Sequence, residues 1–236
     1  MNDKAHAPGP VDAGTQPPYL YAPYVSTRLR APTRPLLPLP EDAMTTVGPL
    51  FGPHAVQRRD SDLTLGGAAP PIGERLIVCG SVRDDRGRPL PGALVELWQA
   101  NAAGRYRHAR DDHDAPLDPN FTGCGRALTD SAGQYRFVTI RPGAYPWRNH
   151  PNAWRPAHIH FSLFGAGLLS RLVTQMYFPG DPLLPLDPVF MSTADARARE
   201  RLTAHFDPHA TVEAYALAFR FDIVLRGAQA TPFEGA

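Results

Sequence analysis

The chain has 236 residues, of which 43% are hydrophobic and 20% charged, and its 24 Lys and Arg nearly balance its 23 Asp and Glu. This composition excludes an intrinsically disordered chain and a strongly basic nucleic-acid-binding protein. The 27 Pro residues disfavour long uninterrupted helices, so the composition favours β-structure joined by ordered loops.

Cysteine content and hydropathy indicate the cellular compartment in which the protein is expected to work. The two cysteines, Cys79 and Cys124, are too few for a disulfide framework. The first residues lack the apolar stretch of a secretory signal, and no run of about 18 apolar residues occurs. We therefore expect a cytoplasmic protein that is not inserted in a membrane.

Residues 1–70 are predicted to form an extended Pro-rich arm. Eleven prolines occur by residue 53, and no period of 2 or 3.6 residues is sustained. Scattered apolar side chains indicate that the arm packs on the main domain or on a neighbouring subunit, while the order of residues 1–18 is left open. These side chains are Tyr19, Tyr21, Tyr24, Leu36, Leu37 and Phe51.

Residues 71–236 are predicted to form one mainly β domain, a two-sheet β-sandwich. Short β-rich runs punctuated by turns, such as residues 76–82, 93–98 and 134–138, are typical of such a core. One short helix is predicted near residues 193–206, capped by Ser192 and ended by Asp207-Pro208.

The stretch from residue 145 to residue 163 carries the chemically informative side chains. His158 and His160 are two residues apart, so on a strand both imidazoles share one face, opposite Ile159. They can therefore share a ligand. A histidine pair alone is weak evidence for a metal, and the stretch offers neither a carboxylate nor a suitably placed third histidine.

Tyr106 and Tyr145 are the nearby anionic candidates, because each follows a glycine turn that could place it at the rim of the sandwich. Two ordinary half-buried tyrosines are the alternative. If both tyrosines and both histidines bind one ion, the phenolates favour a hard trivalent cation, of which iron is the biologically common one. Ferric iron, two phenolates and one hydroxide sum to zero charge, which suits a pocket of low dielectric constant.

Three motifs, at residues 104–108, 142–149 and 155–161, resemble those of the intradiol ring-cleavage dioxygenases, and the likeness covers about residues 70–230. Within that family the chain is most similar to an iron-bearing chain that works with a related chain. The resemblance implies a non-haem ferric enzyme that cleaves a carboxylated catechol, protocatechuate, with O2 to 3-carboxy-cis,cis-muconate in the degradation of aromatic compounds by the β-ketoadipate pathway. It also implies a hetero-oligomer with a homologous α chain that lacks iron ligands and supplies part of the pocket.

The resemblance also implies roles for individual residues. Tyr145 would leave the metal when substrate binds and take up a proton, and Arg155 would stabilise the charge that develops on the substrate as O2 adds. By the family pattern the iron ligands are Tyr106, Tyr145, His158 and His160. The implied substrate-binding residues are Tyr24, Trp147, Gln175, Tyr177 and Val189, the last standing where the family has isoleucine.

Three other interpretations stay open on the sequence. The turn-and-strand pattern at residues 85–93 and 130–137 also fits a transthyretin-like sandwich that binds without catalysis. The two histidines could instead bind zinc or copper together with His108 or His113. An intradiol enzyme for another catechol, such as hydroxyquinol, is the third possibility.

Overall fold

Two β-sheets packed face to face form the body of the protein. The computed structural model describes residues 15–35, 56–149, 153–165 and 171–234. Its strands, in chain order, are β1 (Arg75–Arg83), β2 (Leu94–Trp98), β3 (Cys124–Leu128), β4 (Gln134–Ile140), β5 (Tyr145–Pro146), β6 (Trp154–Arg155), β7 (His158–Phe164), β8 (Leu172–Tyr177), β9 (His205–Phe206), β10 (Leu217–Arg220) and β11 (Ile223–Val224).

The first sheet is organised around β1. Strand β4 pairs with it in antiparallel register, and β10 and β11 pair with it in parallel, so that β1 carries neighbours along both edges. The second sheet has the order β3-β2-β7-β8 and is antiparallel throughout, whereas β5 and β6 form a separate two-stranded ribbon.

The facing sides of the two sheets share one hydrophobic core. Phe161 of β7 contacts Phe137 of the first sheet and Phe221, which follows β10. Each large side chain buried in such a core contributes about 1.5–3 kcal/mol. The fully buried residues of this core include Leu76, Leu97, Phe137, Ile140, Ile159, Phe161, Leu163, Met176, Phe178 and Phe221. The mainly β, two-sheet fold class predicted from the sequence is thereby confirmed.

The helical prediction needs correction. The described residues contain three short α-helices, α1 (Thr27–Arg30), α2 (Pro188–Met191) and α3 (Ala196–Glu200), so the helix expected over residues 193–206 is real but covers only five residues. Asp195, not Ser192, caps it by accepting from the Arg197 N–H, because the Ser192 hydroxyl is already bonded to the Val189 carbonyl at the end of α2. None of the helices described is long and apolar enough to cross a membrane.

Part of the N-terminal arm lies against the sandwich. Tyr24 is buried, and its ring meets that of Trp147 edge-on at 5.2 Å between centroids. The Asn149 side chain bonds the arm on both sides, accepting from Val25 N–H at 2.7 Å and donating to the Pro23 carbonyl at 2.7 Å. The arm residues Leu36, Leu37 and Phe51 lie outside the described residues. The division at residue 70 stays a prediction, although Leu63 already lies in the core of the sandwich.

Candidate metal centre

Strand β7 places two imidazoles on the side away from the core. Ile159 points into the core, while His158 and His160 lie on the opposite face and are 2% and 8% exposed. His158 Nδ1 lies 2.7 Å from the Pro156 carbonyl, and His160 Nδ1 lies 3.2 Å from a carboxylate oxygen of Glu234. The carbonyl oxygen and the ionised carboxylate oxygen can only accept, so each Nδ1 carries hydrogen, and Nε2 is the nitrogen that a metal could use.

A close approach of two loops brings the tyrosines to the same place. Gly104 has φ of +77°, and a Cβ there would come within 2.2 Å of the Ala144 carbonyl oxygen. Only glycine permits both the backbone conformation and the contact. The Asn101 side chain holds this loop by accepting from the Arg105 N–H at 2.9 Å. Tyr106, two residues after Gly104, therefore lies beside Tyr145, one residue after Ala144.

The structure brings the four candidate ligand side chains into one cluster. The Tyr106 and Tyr145 rings are 5.3 Å apart, and the two imidazoles are 4.8 Å apart, measured between centroids. The Tyr145 hydroxyl lies 3.2 Å from His158 Nε2, and the Tyr106 ring is 6.3 Å from that of His160. The four side chains thus lie next to one another, with the Tyr145 hydroxyl within hydrogen-bond distance of His158 Nε2.

Burial disfavours the charged forms of Tyr106, Tyr145 and His158. Burial raises the pKa of Tyr106 well above 10, with Tyr145 adding to the effect, and burial also raises the pKa of Tyr145. Burial, followed by the positive charge of Arg155, holds the pKa of His158 well below 6.5. The phenols are therefore protonated and His158 is neutral, so both phenols would ionise only if a nearby positive charge stabilised the phenolates.

The Tyr106 hydroxyl is an oxygen of the cluster that a cation could satisfy. It is buried and has no hydrogen-bond partner among the described residues, which is a costly state for a polar atom in a protein interior. A cation among the four side chains would satisfy this oxygen, and phenolate oxygens with imidazole nitrogens suit a hard trivalent ion such as Fe(III).

The zinc or copper alternative finds no support. Within the part of the chain that the structure describes, no group of three or more His, Cys, Asp or Glu residues is placed to hold a metal ion. His108 instead accepts from the Arg110 N–H at 3.1 Å, and the His113 ring packs edge-on against that of Trp154.

Arg155 is a buried cation next to the cluster. Its guanidinium contacts Asp187 at 2.8 Å in a pair whose side chains are 4% and 0% exposed. Nη1 lies 3.1 Å from His158 Nε2 and 3.4 Å from the Tyr145 hydroxyl, while Nη2 donates to Tyr177 at 3.0 Å. Burial opposes the charge, but Tyr145 and Asp187 outweigh it and raise the pKa of Arg155 well above its usual range. The guanidinium is therefore fixed in place and permanently charged. Its ion pair with Asp187 lies in the interior and not at the surface.

A cavity of about 500 Å³ opens beside the cluster, a volume that fits a small aromatic molecule. The Trp98 indole stacks on the His160 imidazole at 4.8 Å, with only 4° between the ring planes, and forms part of its wall. Its lining includes Trp98, Gln99, Tyr106, Arg107, His108, Arg110, Tyr145, Trp147, Arg148 and His160.

The predicted substrate-binding residues fall into two groups. Trp147 lines the cavity, and Tyr24 packs against it from the arm. Gln175 and Tyr177 are buried on β8, directly across from His160 and His158 in the strand register. Val189 is buried in α2. These three residues are absent from the described lining of the cavity, and Gln175 and Tyr177 instead bond the Arg155 guanidinium.

Two acidic residues of the site were missed by the sequence analysis. Asp187 pairs with Arg155 and caps α2, a role that the Asp-Pro pair at residues 187–188 could have signalled. Glu234 had no local signal, because it is 74 residues from His160 in the chain. Burial raises the pKa of Glu234, but the contacts with His160 and Gln175 outweigh it and lower that pKa to about 2.

Comparison with known proteins adds an independent line of observation. Residues 46–227 match the family described as Dioxygenase, and residues 10–42 match the family described as Protocatechuate 3,4-dioxygenase beta subunit N terminal. The chain is 56% identical over 227 residues to the protocatechuate 3,4-dioxygenase beta chain of Burkholderia cepacia. The aligned residues cover 95% of this chain and 96% of that protein.

More distant relatives share the sandwich. A catechol 1,2-dioxygenase of Candida albicans is 34% identical over 152 residues, which are 59% of this chain and 46% of that protein. Among solved structures, 3-chlorocatechol 1,2-dioxygenase from Rhodococcus opacus superposes with a TM-score of 0.55 at 26% identity, covering 75% of this chain and 69% of the other. A dioxygenase domain from a Streptomyces species gives a TM-score of 0.51 at 28% identity, over 78% of this chain and 99% of that domain.

Proposed function

Because the chain belongs to the intradiol ring-cleavage dioxygenases, we propose that it cleaves protocatechuate with O2 to 3-carboxy-cis,cis-muconate, incorporating both oxygen atoms. The observation that carries this proposal is the convergence of two phenols and two imidazoles beside a cavity of about 500 Å³. A transthyretin-like binding sandwich would need neither this cluster nor the buried Arg155 next to it.

The similarity to a beta chain supports the choice of substrate and partner. The match runs along nearly the whole of both proteins, and the N-terminal family match covers part of the arm that contributes Tyr24. We therefore assign protocatechuate rather than catechol or hydroxyquinol as the substrate, and a homologous α chain as the partner in a hetero-oligomer.

Ferric iron is the proposed cofactor, held by Tyr106, Tyr145, His158 and His160. The buried Tyr106 hydroxyl without a partner and the Nε2 atoms of two imidazoles whose Nδ1 atoms face acceptors fit such an ion. Bound Fe(III) supplies an acceptor of electron density from the catecholate, which makes the ring reactive towards O2.

Tyr145 is the proposed proton acceptor for a catechol hydroxyl. Its oxygen lies at the edge of the cavity and 3.4 Å from Arg155 Nη1, so an anion on this oxygen is stabilised by the guanidinium charge. Once protonated it becomes a neutral phenol, which the buried site favours. One hydroxyl of the substrate can thus lose its proton without a separate histidine or carboxylate base.

Arg155 is the proposed electrostatic stabiliser of the reacting substrate. Asp187, Gln175 and Tyr177 fix its guanidinium before substrate arrives, so little reorganisation is needed when negative charge develops on the ring. Gln175 and Tyr177 therefore serve the substrate through Arg155, as does Val189 through the Asp187 carboxylate that accepts from its N–H.

The cavity wall supplies shape and charge for the substrate. Trp147, with Tyr24 behind it, offers an aromatic surface to the catechol ring. Arg107, Arg110 and Arg148 also line the cavity and outnumber the two aspartates of its lining, Asp111 and Asp112, of which Asp112 pairs with Arg148. The small excess of positive charge favours a carboxylated catechol.

The assay that tests this function uses the chain co-expressed with its α chain and loaded with iron. Oxygen uptake is followed with protocatechuate, catechol and hydroxyquinol, and the product is analysed after reaction with isotopically labelled O2. We expect protocatechuate to react fastest, with one O2 consumed per substrate and both atoms found in the product. A lack of oxygen uptake with all three catechols would refute the proposal. So would cleavage of any ring bond other than the one between the two hydroxylated carbons.

Removal of one imidazole ligand should remove the metal. In His158→Ala we expect most of the bound iron to be lost, together with the phenolate-to-iron absorption that colours the protein, because one of four protein ligands is gone. His108→Ala is the matched control, since His108 lines the same cavity but lies outside the cluster. Iron per chain is measured by elemental analysis, and equal iron content in the two variants would count against His158 as a ligand.

A further inference from the structure

The two histidines of the cluster differ in what lies behind them. His158 Nδ1 faces a neutral carbonyl, that of Pro156, at 2.7 Å, whereas His160 Nδ1 faces the Glu234 carboxylate at 3.2 Å. A carboxylate behind an imidazole fixes the ring's tautomer and orientation and makes its other nitrogen a stronger donor. The two imidazoles are therefore not equivalent ligands.

Glu234 is carried by a segment that is firmly attached to the sandwich. We call residues 230–234 the C-terminal strap. The Glu234 N–H donates to the Val173 carbonyl at 2.7 Å, and the Thr174 hydroxyl donates to the Pro232 carbonyl at 2.6 Å. Both bonds are made to β8, the strand that pairs with the histidine-bearing β7. The carboxylate is thus held at a fixed distance from His160 by the sheet itself.

Further bonds hold the strap from its other neighbours. The Thr231 N–H donates to the Val224 carbonyl at 2.9 Å, and the Val224 N–H donates to the Thr231 hydroxyl at 3.0 Å. From the arm, the Gln16 side chain accepts from the Phe233 N–H at 2.9 Å. None of these bonds uses the Glu234 carboxylate, so the strap does not need that carboxylate to stay in place.

The contact with His160 offsets the cost of placing the Glu234 carboxylate where it is nearly buried. The Glu234 side chain is 17% exposed and that of His160 is 11% exposed, and a carboxylate so placed is unfavourable unless it is paired. Trp98 stacks on the other side of the same imidazole. The His160 ring is therefore confined by an indole face and by a carboxylate at its Nδ1.

We propose that Glu234 is a positioning residue of the metal centre, which orients the His160 imidazole through Nδ1 and strengthens Nε2 as an iron donor. This inference rests on the proposed function, because it assumes that His160 is an iron ligand. It makes the C-terminal strap part of the site, although none of its residues 230–234 lines the cavity as described.

The test compares Glu234→Gln with Glu213→Gln in the iron-loaded complex with the α chain. Glutamine keeps the size of the side chain and an acceptor oxygen but removes the charge, whereas Glu213 is exposed in the turn before β10, a strand of the first sheet. We expect Glu234→Gln to lose iron to a chelator about tenfold faster than the wild type, in line with the effect of removing a partner behind a metal-bound imidazole. We also expect the phenolate-to-iron absorption band to shift, because the weaker imidazole leaves the iron a stronger acceptor of phenolate charge.

A second measurement covers the case in which Glu234→Gln folds poorly. Glu234→Asp keeps the charge but is one methylene shorter, so its carboxylate withdraws from Nδ1, and we expect the same faster iron loss. In addition, nitrogen NMR of the metal-free wild type should show His160 with its hydrogen on Nδ1.

The outcomes separate this inference from the proposed function. If the wild type binds iron and both Glu234 variants retain it as the wild type does, with an unshifted absorption band, the positioning role is overturned while the function stands. A His160 tautomer with hydrogen on Nε2 would also overturn it. If the wild type binds no iron in this cluster, both the function and the inference fail.

Discussion

At the scale of single residues, Arg155 and Asp187 form an ion pair that positions a charge rather than stabilising the fold. Arg155 is 3% exposed, and Asp187 is fully buried. Such pairs add little net stability, because the cost of removing both charges from water offsets their attraction, but the loss of one partner leaves an uncompensated charge. Asp187 thus makes it possible for a charged arginine to lie against the tyrosine and histidine cluster.

The charge of Asp187 can be tested without loss of its capping role. In Asp187→Asn the side chain can still accept from the Val189 N–H, because Asn caps helices about as well as Asp, but Arg155 loses its counter-charge. We expect a loss of about 3–5 kcal/mol in the free energy of unfolding. A shift of about 1 Å in the guanidinium would also lower kcat by about 100-fold.

Asp195→Asn is the matched control for this substitution. Asp195 caps α3 in the same way, by accepting from the Arg197 N–H, and is not paired with a buried arginine among the described residues. Its free energy of unfolding, measured by urea denaturation, should change by no more than about 0.5 kcal/mol. Equal losses in the two variants would show that Asp187 acts only as a helix cap.

The residues of the site differed in how far the sequence could predict them. The spacing of His158 and His160 was enough to place both on one face, since a strand has a strict period of two. Tyr106 is 52 residues from His158, and its place after a glycine turn made it only a candidate, which the resemblance to a family then assigned as a ligand. Asp187 and Glu234 were not found, because each acts through a partner that folding brings to it from a distant part of the chain.

At the scale of elements, the site depends on how closely two loops approach each other. The loop after β2 touches the segment before β5 at Gly104, where no side chain would fit. The tyrosines follow directly on these contacts, so their separation is set by backbone packing. Short Pro-rich and Gly-rich loops that are held in this way position side chains as firmly as strands do.

Gly104→Ala tests this dependence, with Gly87→Ala as its control. Both glycines have φ close to +77°, at +77° and +76°, but a Cβ at Gly87 meets nothing within 4 Å. Gly87→Ala should cost about 1–2 kcal/mol from backbone strain alone. Gly104→Ala should cost about 1–3 kcal/mol more because of the clash with Ala144, and should also lower bound iron by displacing Tyr106. Unfolding by urea and iron per chain are measured for both variants, and undiminished iron in Gly104→Ala would contradict the dependence.

The elements that the sequence predicted well were those with a strict period. Strands β1, β2, β4 and β7 bury alternate or continuous apolar residues, and their places could be read from the sequence. The helix near residues 193–206 was overextended, because His205 and Phe206 form the edge strand β9 by pairing with β10. Pairing with a strand that comes later in the chain overrides local helix preference, and local patterns do not reveal it.

At the scale of the whole molecule, the described parts of the N-terminal arm and the C-terminal strap reach the site from outside the sandwich. The arm places Tyr24 on Trp147, and the strap places Glu234 on His160. The arm and the strap also touch each other, through Gln16 and Phe233. The sandwich supplies the face that bears the histidines, and these two segments complete the surroundings of the proposed metal centre and its cavity.

The central claim, that Tyr106, Tyr145, His158 and His160 hold one ferric ion, is tested most directly by a crystal structure of the iron-loaded complex with the α chain. Data collected at the iron absorption edge locate the metal independently of the protein atoms. We predict a single anomalous peak per chain within bonding distance of the two tyrosine oxygens and the two Nε2 atoms. A peak elsewhere, or iron-loaded protein with no peak among these four side chains, would contradict the account.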